Sequence, residues 1–318
     1  MLAAGVSVAV LGMLGLPLNA GAQPVELAAP YEYLGWGNPQ PPASVMAASG
    51  IRDLTLAFIL SHGSCNPEWD GSRPLLGGTD QAAIAAVRAA GGDVAVSFGG
   101  WSGRKLGIAC TNAVALAAAY QKVIDAYTLK AIDVDIEHSE FTSRKSRSRV
   151  LAALKIVQGA NPGLEISVTM GTGETGPEAT GRSLIDEAAA IGFQPTAWTV
   201  MPFDFGAPLA GMGEASVRAL EGTEADIAAA YHLTASAAYE HLGVSSMNGH
   251  TDEASEIVSL SDFQAIIAFA SEHQMARVSF WSVNRDRPCA GGTAKSEECS
   301  GVAQAPLAFT TLLAAYHG

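Results

Sequence analysis

The sequence predicts a single (β/α)8 barrel, because three features of the chain agree on that fold. Eight short strand-like runs alternate with longer Ala-rich helical patterns from Tyr31 onward. The runs are separated by roughly 25–45 residues, the length of one βα unit, and parallel strands joined by right-handed crossovers can close without an edge. The chain has 318 residues, which a barrel of ~250 residues and a removable N-terminal segment would account for.

The predicted elements follow from apolar periodicity. The strands in chain order are residues 31–36, 54–60, 93–98, 131–137, 165–170, 196–201, 243–247 and 276–282. Ala, Leu and Ile at three- to four-residue spacing predict helices over 79–90, 113–127, 148–158 and 261–273. Thr79 and Ser261 are the predicted N-caps of two of these helices, and Gly91 and Gly192 follow the ends of two.

A doubly wound open sheet is the alternative fold. It would place a Gly-rich phosphate loop after the first strand, at the start of a helix. Here Gly35-Trp36-Gly37 leads into Asn38-Pro39. The barrel is therefore the preferred fold, and its functional face is the one at the carboxyl ends of the strands.

The N-terminal segment, residues 1–22, differs from the rest of the chain. An apolar run from Leu2 to Leu16 is followed by the small-residue sequence Ala20-Gly21-Ala22, so we interpret residues 1–22 as a secretory signal peptide. The basic start typical of such a signal is missing, because Arg52 is the first Lys or Arg, and a buried apolar helix is the alternative. Residues 23–318 then form one barrel domain, and no later stretch predicts a membrane span.

Four cysteines support export, since an even number in an oxidising compartment usually forms disulfides. Cys289 and Cys299 enclose a short loop, while Cys65 and Cys110 each follow a predicted strand. Three pairings are possible, and we expect Cys65–Cys110 and Cys289–Cys299. A metal site is the alternative, but the chain has no C-x-x-C spacing and only His62 lies close to a cysteine.

Composition limits the partners. Hydrophobic residues make up 48% and charged residues 15% of the chain, which excludes a mainly disordered protein. The 18 Lys plus Arg against 31 Asp plus Glu give a net charge of −13 without a basic stripe. Nucleic acid and anionic membranes are therefore not expected as partners.

The sharpest motif is Asp133-Val134-Asp135-Ile136-Glu137. Its three carboxylates occupy positions i, i+2 and i+4 of a predicted strand, so they point the same way. Inside a barrel, repulsion between neighbours of roughly 2.5 kcal/mol would leave at least one proton on the cluster near neutral pH, which a general acid requires. A solvated edge strand and a Mg²⁺-binding strand are the alternatives.

Further motifs end the neighbouring strands. Ser97-Phe98-Gly99-Gly100-Trp101 ends the third, and its paired glycines would let a ligand or another strand approach the backbone. Met201-Pro202-Phe203-Asp204 ends the sixth and adds another acid. Aromatic side chains at strand ends or in the following loops suggest a surface for stacking sugar rings, with loop packing as the alternative: Trp36, Trp69, Trp101, Phe141, Phe203, Phe205 and Trp281.

Together these residues resemble family 18 glycoside hydrolases, the chitinase family, over about residues 30–315. The S-x-G-G pattern of the family matches Ser97, Gly99 and Gly100, and its D-x-x-D-x-D-x-E pattern matches Asp133, Asp135 and Glu137. Its M-x-Y-D pattern matches Met201 and Asp204, and its terminal Trp matches Trp281. The segments CNPEWDG at 65–71 and FWSVNRDRPC at 280–289 are similar to a secreted bacterial branch.

The resemblance implies cleavage of β-1,4 bonds in N-acetylglucosamine polymers by a substrate-assisted retaining mechanism. Glu137 would protonate the leaving oxygen and Asp135 would hold the acetamido N–H of the oxazolinium-forming sugar. Asp133, with Ser97 nearby, would tune Asp135 by sharing a proton, and Asp204 would orient the acetamido group. The residues expected to bind substrate are Trp281 as the apolar floor, Met201 beside it, and Phe203, Trp36, Ser97, Gly99, Gly100 and Trp101.

The same resemblance implies no metal or organic cofactor. The expected protein is a secreted, endo-acting, monomeric chitinase whose partner is chitin or chitooligosaccharide. The alternatives are an endo-β-N-acetylglucosaminidase acting on glycoproteins, a catalytically silent chitin-binding lectin and a metal-dependent barrel hydrolase.

Two residues depart from the family pattern. Lys130 stands where the pattern has its first Asp, so the support beneath the acidic strand must differ. Phe203 replaces the Tyr of M-x-Y-D and removes a hydroxyl directed toward the acetamido oxygen, which predicts slower or differently tuned chemistry.

Overall fold

The computed structural model describes Met1 and residues 24–25, 27–206, 211–291 and 297–318. These residues fold into a nearly closed barrel of eight parallel strands with helices between them. Apart from Met1, the predicted signal segment 1–22 lies outside the described residues.

The strand order within the barrel is β1-β2-β4-β5-β6-β7-β8-β11, and every neighbouring pair along this path is parallel. The strands are β1 Tyr31–Tyr33, β2 Leu54–His62, β3 Asn66–Trp69, β4 Val94–Gly99, β5 Ala131–Asp135, β6 Glu165–Gly171, β7 Ala197–Met201, β8 Leu242–Met247, β9 Gly249–His250, β10 Ile257–Val258 and β11 Arg277–Trp281. The backbone just before β1 joins the last strand through one bridge, in which Ala28 pairs with Val278 in parallel and the N–H of Val278 donates to the Leu27 carbonyl at 2.8 Å.

Helices occupy the outside of the barrel. They are α1 Pro42–Ser49, α2 Thr79–Ala89, α3 Leu106–Ala109, α4 Ala113–Tyr127, α5 His138–Thr142, α6 Arg144–Ala160, α7 Ala179–Ala190, α8 Met212–Tyr231, α9 Ala235–Tyr239, α10 Leu260–Glu272 and α11 Ala308–Leu313, with a 3₁₀ turn at Val283–Arg285. All eight predicted strands and the four predicted helices are present, and the fold prediction is confirmed. The antiparallel strand β3, which folds back on β2, was not predicted.

Both predicted N-caps are wrong. The hydroxyl of Ser259 accepts from the N–H of Asp262, whose carboxylate accepts from the N–H of Ser259, and this reciprocal box starts α10 before Ser261. Thr79 is the first residue of α2 and Gly78 stands at its N-cap without a side-chain acceptor. The glycine predictions are confirmed, since Gly91 and Gly192 adopt φ of 88° and 68° just beyond their helices.

The main apolar core lies between the strands and the helices. Ile132, Val134 and Ile136 alternate with the acids of β5 and are buried in this layer, as strand periodicity predicts. Val25, Ala95 and Ala131 form a separate small buried cluster.

Two disulfides pair the cysteines as expected. Cys65 in the β2–β3 turn bonds Cys110 at the end of α3, with Cα atoms 4.6 Å apart. Cys289 bonds Cys299, with Cα atoms 5.1 Å apart. Among the described residues, no helix is both long enough and apolar enough to cross a bilayer.

Glu32 on β1 gives the fold a pH-dependent element. Its side chain is fully buried, and neither carboxyl oxygen has a hydrogen-bond partner among the described residues. Burial raises the pKa of Glu32 from 4.5 to about 8, although the charge of Arg287 opposes the shift.

We expect Glu32→Gln to reduce the decrease in the free energy of unfolding that occurs as pH rises from 5 to about 8. Because the folded-state pKa exceeds the unfolded value, the contribution of protonated Glu32 is complete below pH 4.5 and is lost as pH rises toward about 8. The free energy of unfolding in urea, measured at intervals from pH 5 to about 8, should fall less steeply in the variant. Glu240→Gln, at an exposed position, is the control; equal slopes for Glu32→Gln and wild type would contradict this role.

Candidate active site

The three acids of the β5 motif are stacked from the barrel interior to its mouth. Asp133 is fully buried, Asp135 is 4% exposed and Glu137 is half-buried. The N–H of Ile136 donates to the Thr169 carbonyl at 2.8 Å, which continues the strand ladder past Asp135. Glu137 therefore keeps extended dihedrals (φ −129°, ψ 169°) and immediately precedes α5.

Asp133 is held by four donors from four different strands. One carboxylate oxygen accepts from the hydroxyls of Tyr31 at 2.7 Å and Ser97 at 2.5 Å. The other accepts from Thr169 at 2.6 Å and from the guanidinium of Arg277 at 2.9 Å. Asp133 and Arg277 are both fully buried, so this is an ion pair shielded from water.

This arrangement defines how Asp133 acts on its neighbour. Each of its oxygens accepts two hydrogen bonds, and one of the four comes from the guanidinium of Arg277. Together with burial and the charge of Glu137, the charge of Asp133 raises the pKa of Asp135.

Asp135 and Glu137 form a hydrogen-bonded pair of carboxyl groups. Burial, the charges of Glu137 and Asp133, and the bond to Glu137 raise the pKa of Asp135 well above its usual value. Burial also raises the pKa of Glu137 to about 7, against the attraction of Lys105 and the hydrogen bond from Asp135. Both shifts favour a proton on the pair near neutral pH.

Asp204 lies on the rim of the same mouth. It is exposed, and its backbone adopts φ of 56°. One carboxylate oxygen accepts from the N–H groups of Asp252 at 2.9 Å and Glu253 at 3.1 Å, while the N–H of Asp204 donates to Glu256 at 2.7 Å. These contacts hold the carboxylate in place, and its charge contributes to the raised pKa of Glu137.

The S-x-G-G segment supports the acidic strand instead of lining the mouth. Ser97 is fully buried against Asp133, so it cannot touch a ligand and the expectation of substrate contact is wrong. A Cβ on Gly99 would lie 2.1 Å from the Asp135 carbonyl oxygen, and one on Gly100 would lie 2.7 Å from the Phe58 ring. The two glycines thus allow the neighbouring strand and ring to approach, and both have positive φ.

Aromatic rings form the floor and two sides of the mouth. Trp281 is half-buried and stacks on Phe58 with ring centroids 5.6 Å apart and an angle of 13° between the planes. Trp36 is 46% exposed in the loop after β1 and packs on Tyr33. Trp101 is 66% exposed after β4 and contacts the ring of His138 edge-on at 5.1 Å.

The other predicted aromatic residues are either fully buried or partly buried. Trp69 is fully buried, and its indole N–H donates to the Tyr127 hydroxyl at 2.9 Å, because β3 folds back against α4. Its placement on the functional face is therefore wrong. Phe141, Phe203 and Phe205 are each partly buried against the main core, and Met201 is half-buried at the end of β7.

Several residues of the site were not predicted. Tyr31, Thr169 and Arg277 surround Asp133 from positions more than a hundred residues apart from one another, so no local spacing signals their meeting. Lys105 is buried near Asp135 and Glu137, and its position follows no motif. Lys130 lies outside the site, where its exposed side chain pairs with Asp93 at 3.0 Å.

Paired carboxyl groups with a shared proton, set among exposed aromatic rings at the carboxyl ends of barrel strands, define a site of the glycoside hydrolase class. No family model matches the chain. The chain is 28% identical over 293 residues to a probable bifunctional chitinase/lysozyme of Escherichia coli (strain K12), covering 86% of this chain and 32% of that relative. It thus spans about a third of the length of that curated relative.

Solved structures agree with this likeness. The catalytic domain of a hyperthermophilic chitinase from Pyrococcus furiosus superposes with a TM-score of 0.83 at 26% identity, covering 92% of this chain and 95% of that one. A family 18 chitinase from Chromobacterium violaceum shares the fold, with a TM-score of 0.58 at 16% identity over 92% of this chain and 83% of that one. The resemblance to family 18 glycoside hydrolases is confirmed.

We expect Arg277→Met to destabilise the fold by about 3–5 kcal/mol, because it leaves Asp133 as a buried charge without its cation. The double variant Asp133→Asn with Arg277→Met removes both charges and should be more stable than the single variant. Urea unfolding of the two variants and wild type measures both effects. A single variant within about 1 kcal/mol of wild type would show that the hydroxyl donors suffice.

Proposed function

We propose that the protein is a secreted, endo-acting chitinase that hydrolyses β-1,4 bonds between N-acetylglucosamine units. The observation that carries this proposal is the Asp135–Glu137 pair, in which a carboxyl group with a pKa of about 7 stands at the mouth of the barrel. A group of this pKa can give and take a proton near neutral pH. The likeness to chitinases over most of the chain supports the choice of substrate.

Glu137 is the proposed general acid. It would protonate the glycosidic oxygen of the leaving sugar and, in the second step, deprotonate the attacking water. Its half-buried position at the mouth, above the nearly inaccessible Asp135, makes it the carboxyl group of the pair that a bound chain reaches first.

The proposed nucleophile belongs to the substrate. Asp135 is only 4% exposed beneath Glu137, which argues against its direct attack on a sugar ring. The 2-acetamido carbonyl of the sugar would attack the anomeric carbon instead, giving an oxazolinium ion and retained configuration. One oxygen of Asp135 is buried without a hydrogen-bond partner among the described residues, and it would accept the acetamido N–H.

The other mouth residues would position the sugar. The face of Trp281, supported by Phe58, suits an apolar sugar face, and the fixed carboxylate of Asp204 would orient the acetamido group. Trp36 and Trp101 would stack further units of the chain. Gly99 and Gly100 would act indirectly, because their lack of a side chain leaves room for the Asp135 backbone and the Phe58 ring.

Secretion is part of the proposal. The two disulfides support an oxidising compartment, and the predicted signal segment 1–22 agrees with it. We propose chitin or chitooligosaccharide as the only required partner, a monomeric state and no cofactor.

Product analysis on two substrates tests the function. The purified protein should cleave chitohexaose internally to shorter oligomers and leave the glycans of a high-mannose glycoprotein intact, with equal rates in the presence of a chelator. Release of glycans with chitohexaose intact would indicate the endo-β-N-acetylglucosaminidase alternative. Binding without cleavage would indicate a lectin, and loss of activity with chelator a metal-dependent hydrolase.

The matched variants for this assay are Glu137→Gln and Glu214→Gln. Glu137→Gln should lower chitohexaose turnover by at least about a hundredfold, because amide cannot donate or accept the proton, while binding remains measurable. Glu214 is exposed on α8, and its variant should retain wild-type turnover. Turnover above a tenth of wild type in Glu137→Gln would reject Glu137 as the acid.

We expect Phe203→Tyr to raise kcat on chitohexaose, by up to roughly tenfold, because a hydroxyl would add a transition-state hydrogen bond to the acetamido oxygen. Phe205→Tyr is the control, since Phe205 is also partly buried two residues away. Thermal unfolding checks that both variants stay folded. An unchanged or lower kcat in a folded Phe203→Tyr protein would show that the ring serves packing alone.

A further inference from the structure

Two loops at the mouth of the barrel hold each other through two acidic side chains. Glu256, at the end of the loop between β9 and β10, accepts from the N–H groups of Asp204 at 2.7 Å and Gly206 at 3.1 Å. In the opposite direction, Asp204, which follows β7, accepts from the N–H groups of Asp252 at 2.9 Å and Glu253 at 3.1 Å. Each loop therefore binds the backbone of the other through one carboxylate.

The two carboxylates differ in exposure. Glu256 is 1% exposed, whereas Asp204 is exposed on the rim. The hydroxyl of Thr251 also donates to Glu256, at 3.2 Å, so both oxygens of Glu256 accept hydrogen bonds within the protein. Glu256 is therefore a buried anchor, and Asp204 is the acid of the two that a ligand can reach.

The backbone at Asp204 depends on such an anchor. Asp204 and Gly206 have φ of 56° and 75°, in the left-handed region. This region suits glycine but is uncommon for a residue that carries a side chain. The two N–H groups that Glu256 binds belong to these same residues, so its carboxylate stabilises the turn that presents Asp204.

The hairpin that carries Glu256 is itself held in place. Strand β10 pairs with β9 antiparallel, and the N–H of Thr251 donates to the Glu256 carbonyl at 3.2 Å. The N–H of His250 donates to the Ser300 carbonyl at 2.9 Å, and the guanidinium of Arg285 donates to the His250 carbonyl. Glu256 therefore binds the Asp204 turn from a fixed backbone.

We infer that Glu256 is a positioning residue that acts on the reaction through Asp204, by holding the Asp204 carboxylate in the orientation that the acetamido group of the substrate meets. Its consequence for catalysis rests on the proposed chitinase function, in which Asp204 touches the sugar and Glu256 does not. The placement of Asp204 itself depends on no substrate. Glu256 should therefore matter for turnover only while the Asp204 side chain is present.

A double-mutant cycle in kcat on chitohexaose tests this dependence. Glu256→Gln keeps the size of the side chain but replaces one acceptor oxygen by an NH₂ group, which faces an N–H donor. Asp204→Gly removes the carboxylate and suits the φ of 56°. Glu256→Gln should lower kcat by about tenfold to a hundredfold, the cost of a misplaced group, and should add less than about twofold to the loss in Asp204→Gly.

Losses that multiply in the double variant would overturn the inference, as would wild-type kcat in either single variant. Asp93→Asn is the matched control. Asp93 is a buried carboxylate that accepts from the N–H of Val94 at 3.0 Å, at the opposite end of the barrel. Its variant should have a lower free energy of unfolding and an unchanged kcat, which separates positioning from stability.

Amide hydrogen exchange, measured by NMR without substrate, tests the placement of Asp204. The N–H of Asp252 donates to the Asp204 carboxylate, and this bond slows its exchange. Exchange at Asp252 should be faster in Glu256→Gln, as it should be in Asp204→Gly. The N–H of Ile136, in the strand ladder, is the reference for global opening. Unchanged exchange at Asp252 in folded Glu256→Gln overturns the inference.

The two measurements separate the inference from the proposed function. If wild type does not cleave chitohexaose, the proposed function fails while exchange at Asp252 still tests the placement of Asp204. Glu256→Asp takes the place of Glu256→Gln if that protein does not fold. Its carboxylate is one methylene shorter and would retreat from at least one of the two N–H groups, so kcat should fall and exchange at Asp252 should rise. A wild-type value of either overturns the inference.

Discussion

The buried ion pair between Asp133 and Arg277 is the constraint on which the rest of the site depends. It joins β5 to β11 across the barrel interior. The hydroxyls of Tyr31, Ser97 and Thr169 donate to Asp133, and the guanidinium of Arg277 also donates to the hydroxyl of Thr55. Because both side chains are fully buried, removing either partner would leave the other as a buried charge without its counter-ion. Burial, the charge of Glu137 and the charge of Asp133 together raise the pKa of Asp135, the next acid on the strand.

The geometry of β5 links Asp133 to the pKa values of the two acids nearer the mouth. The two-residue repeat of β5 places Asp135 directly above Asp133, where a second full charge in the same buried column is unfavourable. The pKa of Asp135 therefore lies well above its usual value, and Asp135 is hydrogen-bonded to Glu137. Burial, with the carboxylates of Asp204 and Asp252, raises the pKa of Glu137 to about 7 against the attraction of Lys105 and the hydrogen bond from Asp135.

Local patterns in the sequence predict the parts of the molecule that depend on local geometry. Strand periodicity places the three acids on one face, and it also places Ile132, Val134 and Ile136 in the apolar layer. It does not identify Arg277, because that contact joins residues 144 positions apart. Trp69 is misplaced for the same reason: the fold-back of β3 against α4 depends on tertiary packing. Ser261 fails as a cap because Ser259 and Asp262 form a complete capping box two residues earlier.

Lys130, the departure from the family pattern at the base of β5, is explained by its surroundings. Its ammonium pairs with Asp93, which also binds Arg88 at 2.8 Å, so a small charged cluster supports the strand end outside the barrel. The acids are instead balanced from within, by Arg277 at the level of Asp133 and by Lys105 at the level of Asp135 and Glu137. The positive charges of Arg277 and Lys105 thus offset part of the repulsion among four neighbouring carboxyl groups, those of Asp133, Asp135, Glu137 and Glu140. Lys130 lies apart from this balance, because its exposed ammonium pairs with Asp93.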